Sequence, residues 1–234
     1  IEKVMGFLTG DFHDIPVKNN RGNWNEKHHY KRFKYRIEET RVRSEIMNRI
    51  LSYSKIKLNG EIYKNPSNII STIKKKNDLF EPEYLYRCHG DLHFANILVS
   101  HDYDFMLVDP RGDLEPWDIA YDIGKLIHSC HGLYDFLHTD QFDLKMQKST
   151  FWLDFKNKKS IAEYTKIYAE LPKLLGKPKF QAVLGADFML RGLFNKAMHF
   201  LTLMPFHLQH ERRAIAMYVT GVKLINELER RICG

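Results

Sequence analysis

His89-Gly90-Asp91-Leu92-His93-Phe94-Ala95-Asn96, followed at a distance by Val108-Asp109-Pro110-Arg111-Gly112, is the part of the chain whose reading decides the fold. Between them lie two apolar runs, Ile97-Leu98-Val99 and Phe105-Met106-Leu107, separated by the polar stretch Ser100-His101-Asp102-Tyr103-Asp104. Apolar runs around a five-residue polar break predict a hairpin. Upstream, Leu85-Tyr86-Arg87-Cys88 reads as a short extended segment that delivers His89-Gly90-Asp91 to a tight loop. Asn96 opens the first hairpin strand, and the second strand returns Asp109 beside it. Asp91, Asn96 and Asp109 are therefore expected to converge.

Their chemistry is complementary. Asp109 and Asn96 offer oxygen ligands suited to Mg2+, a hard cation that takes few protein groups alongside phosphates. Asn96 is neutral and adds no like charge next to Asp91. Asp91 is left to accept a hydrogen bond from a substrate hydroxyl and to take its proton as a bond to phosphorus forms.

This pattern resembles the aminoglycoside phosphotransferase and choline kinase-like family, relatives of protein kinases. Its catalytic loop reads H-G-D-x-x-x-x-N, matched by His89-Gly90-Asp91 and Asn96. Its metal-binding aspartate opens a D-F-G-like tetrapeptide, matched by Asp109-Pro110-Arg111-Gly112, and the thirteen-residue step from Asn96 to Asp109 also fits. Glu115-Pro116-Trp117-Asp118-Ile119-Ala120 looks like the family's D-P-x-x-D-L-A stretch, with Glu for the first Asp and one spacer residue fewer.

The resemblance implies roles. Asp91 would be the catalytic base, and Asn96 and Asp109 the metal ligands. Asp118 would hold the catalytic loop through backbone amides, with Asp122, one helical turn on, as the competing candidate. His89 would brace the loop. Leu98 and Val108 match the apolar residues that floor an adenine pocket, although plain hairpin core explains them as well. ATP and Mg2+ are the implied cofactors. The fold implied is α+β and mainly helical, a protein kinase-like C-terminal lobe whose small hairpin carries the site.

Outward from the site, residues 1–25 read as irregular, with Gly6, Gly10, Pro16 and an Asn-rich stretch. A helical pattern follows over 26–54, stopped by Asn59-Gly60, and another helix over 68–76 opened by Asn65-Pro66. After Gly112 the pattern is helical to the end, over 117–130, 161–175, 181–203 and 211–230. The chain divides into a helical or loop lead-in (1–86), the catalytic loop and hairpin (87–112) and a helical substrate side (113–234). No Gly-rich phosphate loop and no strand-borne lysine precede the site. The N-terminal lobe is therefore expected to be lost, cut away or supplied by another domain, and weak nucleotide binding by this chain alone is expected. A start at Ile1 rather than Met points the same way.

Composition narrows the classes. Of the 234 residues, 44% are hydrophobic and 28% charged, as in a globular protein with a real core. Cys88, Cys130 and Cys233 are odd in number and show no metal spacing, which suits a reducing, cytoplasmic setting. The most apolar stretch, 181–203, contains Asp187, Arg191 and Lys196, too costly for a membrane span. The net charge of +7 is compatible with nucleic acid, an anionic membrane or a phosphorylated ligand.

The acceptor is expected to be a small hydroxylated molecule. Asp109 lies only nine residues before Asp118, which leaves no room for a peptide-holding activation segment. From Pro110 onward there are 18 lysines and arginines against 14 aspartates and glutamates, which disfavours a polycation. A sugar, polyol or amino alcohol remains. Substrate-side candidates are Arg111, the stripe Asp187, Arg191, Asn195 and His199, which is equally a buried paired network, and His128 with His131 and Tyr134.

Three rival readings stand beside this one. The stretch Lys27-His28-His29-Tyr30-Lys31-Arg32-Phe33-Lys34-Tyr35-Arg36 is either a solvated helix face or a nucleic-acid or membrane-surface module. His13-Asp14 and His101-Asp102 hint at a metal-dependent phosphohydrolase. A kinase-like lobe that binds or scaffolds without catalysis is the third.

Overall fold

A computed structural model describes residues 1–10, 12, 16–20, 22–111, 115–185 and 187–234. The protein is α+β and mostly helical. In chain order the elements are α1 (Glu2–Thr9), β1 (Val17–Lys18), α2 (Lys31–Arg43), α3 (Glu45–Ser52), β2 (Lys55–Leu58), β3 (Glu61–Lys64), α4 (Pro66–Lys74), β4 (Tyr84–Leu85), β5 (Ile97–Val99), β6 (Phe105–Leu107), α5 (Ala120–Cys130), α6 (Tyr134–His138), β7 (Phe142–Gln147), β8 (Thr150–Phe155), α7 (Lys158–Leu175), α8 (Pro178–Leu184), α9 (Phe188–Thr202) and α10 (Glu211–Cys233).

The hairpin expected around 100–104 is present. β5 and β6 pair antiparallel, with Ile97 opposite Leu107 and Leu98 opposite Met106. The helix after Asn65-Pro66 is also present, with the Asn65 side chain accepting from the Ser67 amide and Pro66 at its first turn.

Other expectations are corrected. The hairpin is not alone among the strands, because β3-β2-β8-β7 form a four-stranded sheet. Asn59-Gly60 does more than end a helix. Both residues have positive φ, 50° and 96°, which is what a tight two-residue hairpin turn requires. In β2 the order Lys-Ile-Lys-Leu alternates exposed and buried, the period of a half-buried strand. The region after Gly112 is interrupted by the β7–β8 hairpin, whose Phe142, Phe151 and Leu153 enter the core. β2 runs parallel to β8, and Asn59 clamps the junction. Its amide donates to the Leu153 carbonyl at 2.9 Å and its oxygen accepts the Leu153 amide at 2.9 Å.

Residues 2–9 form a helix rather than an irregular segment, because Val4, Met5 and Leu8 share one buried face despite Gly6. The span 26–54 is a π-turn (Glu26–Tyr30), α2 and α3, broken at extended Ser44, which caps α3 through the Met47 amide. The span 181–203 is two helices divided at Gly185, φ 76°.

α5 sits at the centre, and every residue from Ala120 to Cys130 is buried. α9, buried along nearly its whole length, packs directly on it through glycine. A Cβ on Gly124 would lie 2.5 Å from the Asn195 Cβ, so the two helices meet backbone to backbone there. A helix buried on all sides must satisfy its polar residues internally. On α5 those residues position the candidate site. No helix among the described residues is long and apolar enough to cross a membrane.

Candidate active site

One stripe of α5 templates the loop that carries Asp91. Asp122, Lys125 and Ser129 follow each other by three and four residues and so share a face. The Asp122 carboxylate accepts the His89 amide at Oδ2 and the Gly90 amide at Oδ1, both at 2.8 Å. Lys125 Nζ lies 2.7 Å from Asp91 Oδ1. Ser129 Oγ accepts the Phe94 amide at 3.0 Å. Burial pushes the Asp122 carboxyl up to about 6, while the Gly90 and His89 amides pull the other way.

Bracing of the loop amides thus falls to Asp122, the competing candidate, and not to Asp118. α5 begins at Ala120, which puts Asp122 in its first turn facing the loop. Asp118 turns to α9 instead, where its Oδ1 accepts Arg191 Nη1 at 2.6 Å and the Ala120 amide at 2.9 Å. Asp118 Oδ2 is buried without a partner among the described residues, and burial raises the Asp118 carboxyl despite Arg191.

The loop is also held from the hairpin. His89 Nε2 donates to the Val108 carbonyl at 3.0 Å, while Nδ1 accepts the Asp91 amide at 3.3 Å. Both contacts suit one neutral tautomer, and burial lowers the His89 pKa. Gly90 has φ +80°, and a Cβ there would stand 2.6 Å from the Arg111 Cβ. Glycine is required on both counts.

Asp91 and Asp109 line one cavity of about 420 Å3. Asp109 has φ 55°, a left-handed conformation that aspartate tolerates better than most residues. Its carboxylate is exposed and has no partner among the described residues. Asn96, expected to converge with Asp91 and Asp109, is buried and does not line the cavity. Its Nδ2 donates to the Asp91 carbonyl at 2.9 Å, and its own carbonyl accepts the Val108 amide at 3.1 Å. Its Oδ1 accepts no hydrogen bond among the described residues.

A carboxylate and an amide oxygen are donor types that Mg2+ takes, and it needs only one or two protein ligands. The described residues hold no group of three His, Cys, Asp or Glu side chains placed for a metal ion. His101 and Asp102 are exposed in the hairpin loop, and His13-Asp14 and Gly112 lie outside the described residues.

The cavity is basic. Besides the two carboxylates it is lined by Arg32 and Arg36 from α2, Arg111, and Lys125, with Tyr121, His199, Thr202, Leu203 and Phe206 completing the wall. Arg111 stands 4.2 Å from the centre of the Trp117 ring. Burial by itself raises the Tyr121 phenol, yet Arg32, Lys125 and Arg111 together hold it below its ordinary value.

The basic run 27–36 is therefore not one solvated face. His29, Tyr30 and Phe33 are core, Arg32 and Arg36 face the cavity, and Lys27, Lys31, Lys34 and Tyr35 are left exposed.

Of the substrate-side candidates, Arg111 and His199 reach the cavity. Arg191 does not, being spent on Asp118 and the Leu184 carbonyl. Asp187 is exposed ahead of α9 and away from the cavity lining. His128 is fully buried, stacked on Tyr134 at 4.3 Å and against Phe200 at 4.1 Å, and burial holds it well below its ordinary pKa. His131 accepts Lys196 Nζ at 2.6 Å inside the helix packing. Leu98 is 51% exposed on the open face of the hairpin beside Met106, and Val108 is half-buried. Lys125, Asp122, Arg32 and Arg36 had no place in the sequence reading as site residues, apart from Asp122 as the rival brace. The signal for Lys125 was its three-residue spacing from Asp122.

No family model, no curated protein and no solved structure matches the chain.

Proposed function

We propose that this chain is the C-terminal lobe of a small-molecule kinase, which moves the terminal phosphoryl group of Mg2+–ATP to a hydroxyl of a small acceptor. The observation that carries the reading is the pair of carboxylates in one basic cavity. Asp91 is held by Lys125, and Asp109 makes no side-chain hydrogen bond or ion pair among the described residues. In this reading the acceptor oxygen bonds to phosphorus, its proton passes to Asp91, and the bond from phosphorus to the nucleotide oxygen breaks. Asp109 and Asn96 would hold Mg2+, which neutralises charge on the phosphates when bound. Lys125 keeps the Asp91 carboxylate in place and puts a positive charge beside the transferred group. The open apolar face of Leu98 and Met106 suits contact with the adenine ring or with a second lobe.

A cavity of about 420 Å3 fits a small molecule rather than a folded peptide segment. The reading is tested by following transfer of the labelled terminal phosphoryl group from ATP to a panel of hydroxyl compounds in the full natural chain. Transfer that needs both Mg2+ and Asp109 supports it. ATP turnover that is indifferent to Asp109→Asn and to chelation of Mg2+ would overturn it.

A further inference from the structure

Four cations line the cavity around Asp91 and Asp109, and two of them keep guanidinium donors unused among the described residues. Lys125 is matched by Asp91, and Arg111 lies over Trp117. Arg32 and Arg36 remain, four residues apart on α2 and so on one face of it. Among the described residues Arg32 makes one long side-chain hydrogen bond, 3.5 Å to the Tyr121 hydroxyl, and its buried Nε has no hydrogen-bond partner. A guanidinium has five donors in a fixed fork, and leaving them unpaired away from water is costly. Arg36 gives Nη1 to Glu39 at 2.6 Å and stands 4.5 Å from the centre of the Phe206 ring and 5.5 Å from that of Tyr35, and its other guanidinium donors make no hydrogen bond among the described residues.

The hairpin side of the loop is different. Leu98 and Met106 form its open face, and a second cavity of about 430 Å3 is lined by Phe7, Phe12, His89, Phe105, Leu107 and Pro110, with no cation among them. Apolar surface suits a nucleotide base, and the arginine fork suits a carboxylate or phosphate, which it can meet with two parallel hydrogen bonds.

We propose that the acceptor is itself an anion, a hydroxyl compound already bearing a phosphate or carboxylate group that Arg32 and Arg36 grip while its hydroxyl lies at Asp91. This rests on the phosphoryl-transfer reading above. Thr202 and His199 stand on the cavity wall for further hydroxyls, and Leu203 and Phe206 for the carbon skeleton.

Calorimetric titration tests it, with glucose 6-phosphate, glycerol 3-phosphate and glycerate set against glucose, glycerol and choline. At least one charged probe is expected to bind at least tenfold tighter than every neutral one, with affinity that falls as salt rises. Arg36→Gln and Arg32→Gln should each weaken that probe about tenfold, and exposed Lys34→Gln should leave it unchanged. Because Arg32 is half-buried, the unfolding midpoint of each variant is measured alongside, and Arg36→Gln carries the test if Arg32→Gln unfolds. Equal affinity for charged and neutral probes would overturn the proposal. So would full displacement of the charged probe by a non-hydrolysable Mg2+–ATP analogue, which would assign the arginines to the nucleotide's phosphates.

The two readings fail separately. Charged-probe binding that persists while transfer ignores Asp91→Asn sinks the kinase reading and leaves the anion pocket standing. Asp91-dependent transfer to neutral acceptors alone does the reverse.

Discussion

Lys125 Nζ stands 2.7 Å from Asp91 Oδ1, reaching it from the centre of a wholly buried helix. Its side chain is only 11% exposed, so the pair is shielded from solvent on the lysine side. Lys125→Met keeps the length and apolar stem of the side chain but removes the charge. The fold should survive, and phosphoryl transfer should fall on the order of 10²-fold in kcat with a smaller change in the nucleotide KM. Steady-state kinetics with nucleotide and acceptor varied separately check this. An unchanged kcat would remove Lys125 from the site.

Asp122 satisfies two backbone donors at once. Asp122→Ala leaves the His89 and Gly90 amides without partners in a buried place, at a cost of roughly 2–4 kcal/mol. Asp118→Ala strands Arg191 instead, at roughly 3–5 kcal/mol by the same physics of an uncompensated buried charge. The two variants should part in activity. Asp122→Ala frees the loop and should abolish transfer even where the chain remains folded. Asp118→Ala should act through stability, and so should Arg191→Met. Urea unfolding with activity measured on the folded fraction separates them.

Gly90→Ala tests the loop's geometry. The positive φ costs an alanine about 1–2 kcal/mol. The added methyl would also push on the first carbon of the Arg111 side chain, which is fixed by the backbone and cannot swing away. A lowered melting temperature together with weakened acceptor binding is expected. A silent substitution would mean that the loop is free to change its conformation.

Lys196 makes stability depend on pH in a direction of its own. Burial lowers its pKa from 10.5 to about 7, so the folded chain holds that proton less tightly than the unfolded chain. Between about pH 7 and pH 10.5 the unfolded state binds more protons, and stability from this group rises with pH. The rise amounts to a few kcal/mol at about 1.4 kcal/mol for each unit. Lys196→Met should be more stable than the parent at pH 7, and the difference should shrink towards pH 10. Denaturant titrations of both chains across that range check it.

Legibility followed the range of the interactions. His89 to Asp109 was readable because a tight loop and a short hairpin are local, and the spacing of their polar residues follows from chain geometry alone. The sequence favours Asp118 over Asp122 as the brace and the structure reverses this, because the choice depends on where α5 starts and which face meets the loop. Asn59-Gly60 carried a hairpin signal that the preceding helical pattern obscured. β7 alternates strictly, Phe142-Asp143-Leu144-Lys145-Met146-Gln147, and so carried a strand signal, whereas the parallel partner of β8, β2, lies some ninety residues earlier, a pairing no local pattern reveals. The stripe Asp187, Arg191, Asn195 and His199 was expected to face either a cleft or a buried network. It divides: Arg191 and Asn195 lie in the buried packing, His199 opens on the cavity at the C-terminal end of α9, and Asp187 is exposed and does neither. Arg32 and Arg36 sat in plain view in a basic run, but which cations of a helix turn inward is decided by what packs against it.

The most direct measurement compares phosphoryl transfer by the parent and by Asp91→Asn in the full natural chain, with acceptor binding and melting temperature followed in parallel. Loss of about 10³-fold in kcat, with the melting temperature kept and acceptor binding undiminished, is the expected result for a base that takes the hydroxyl proton. Equal transfer by both chains would contradict the assignment of this cavity as a phosphoryl-transfer site.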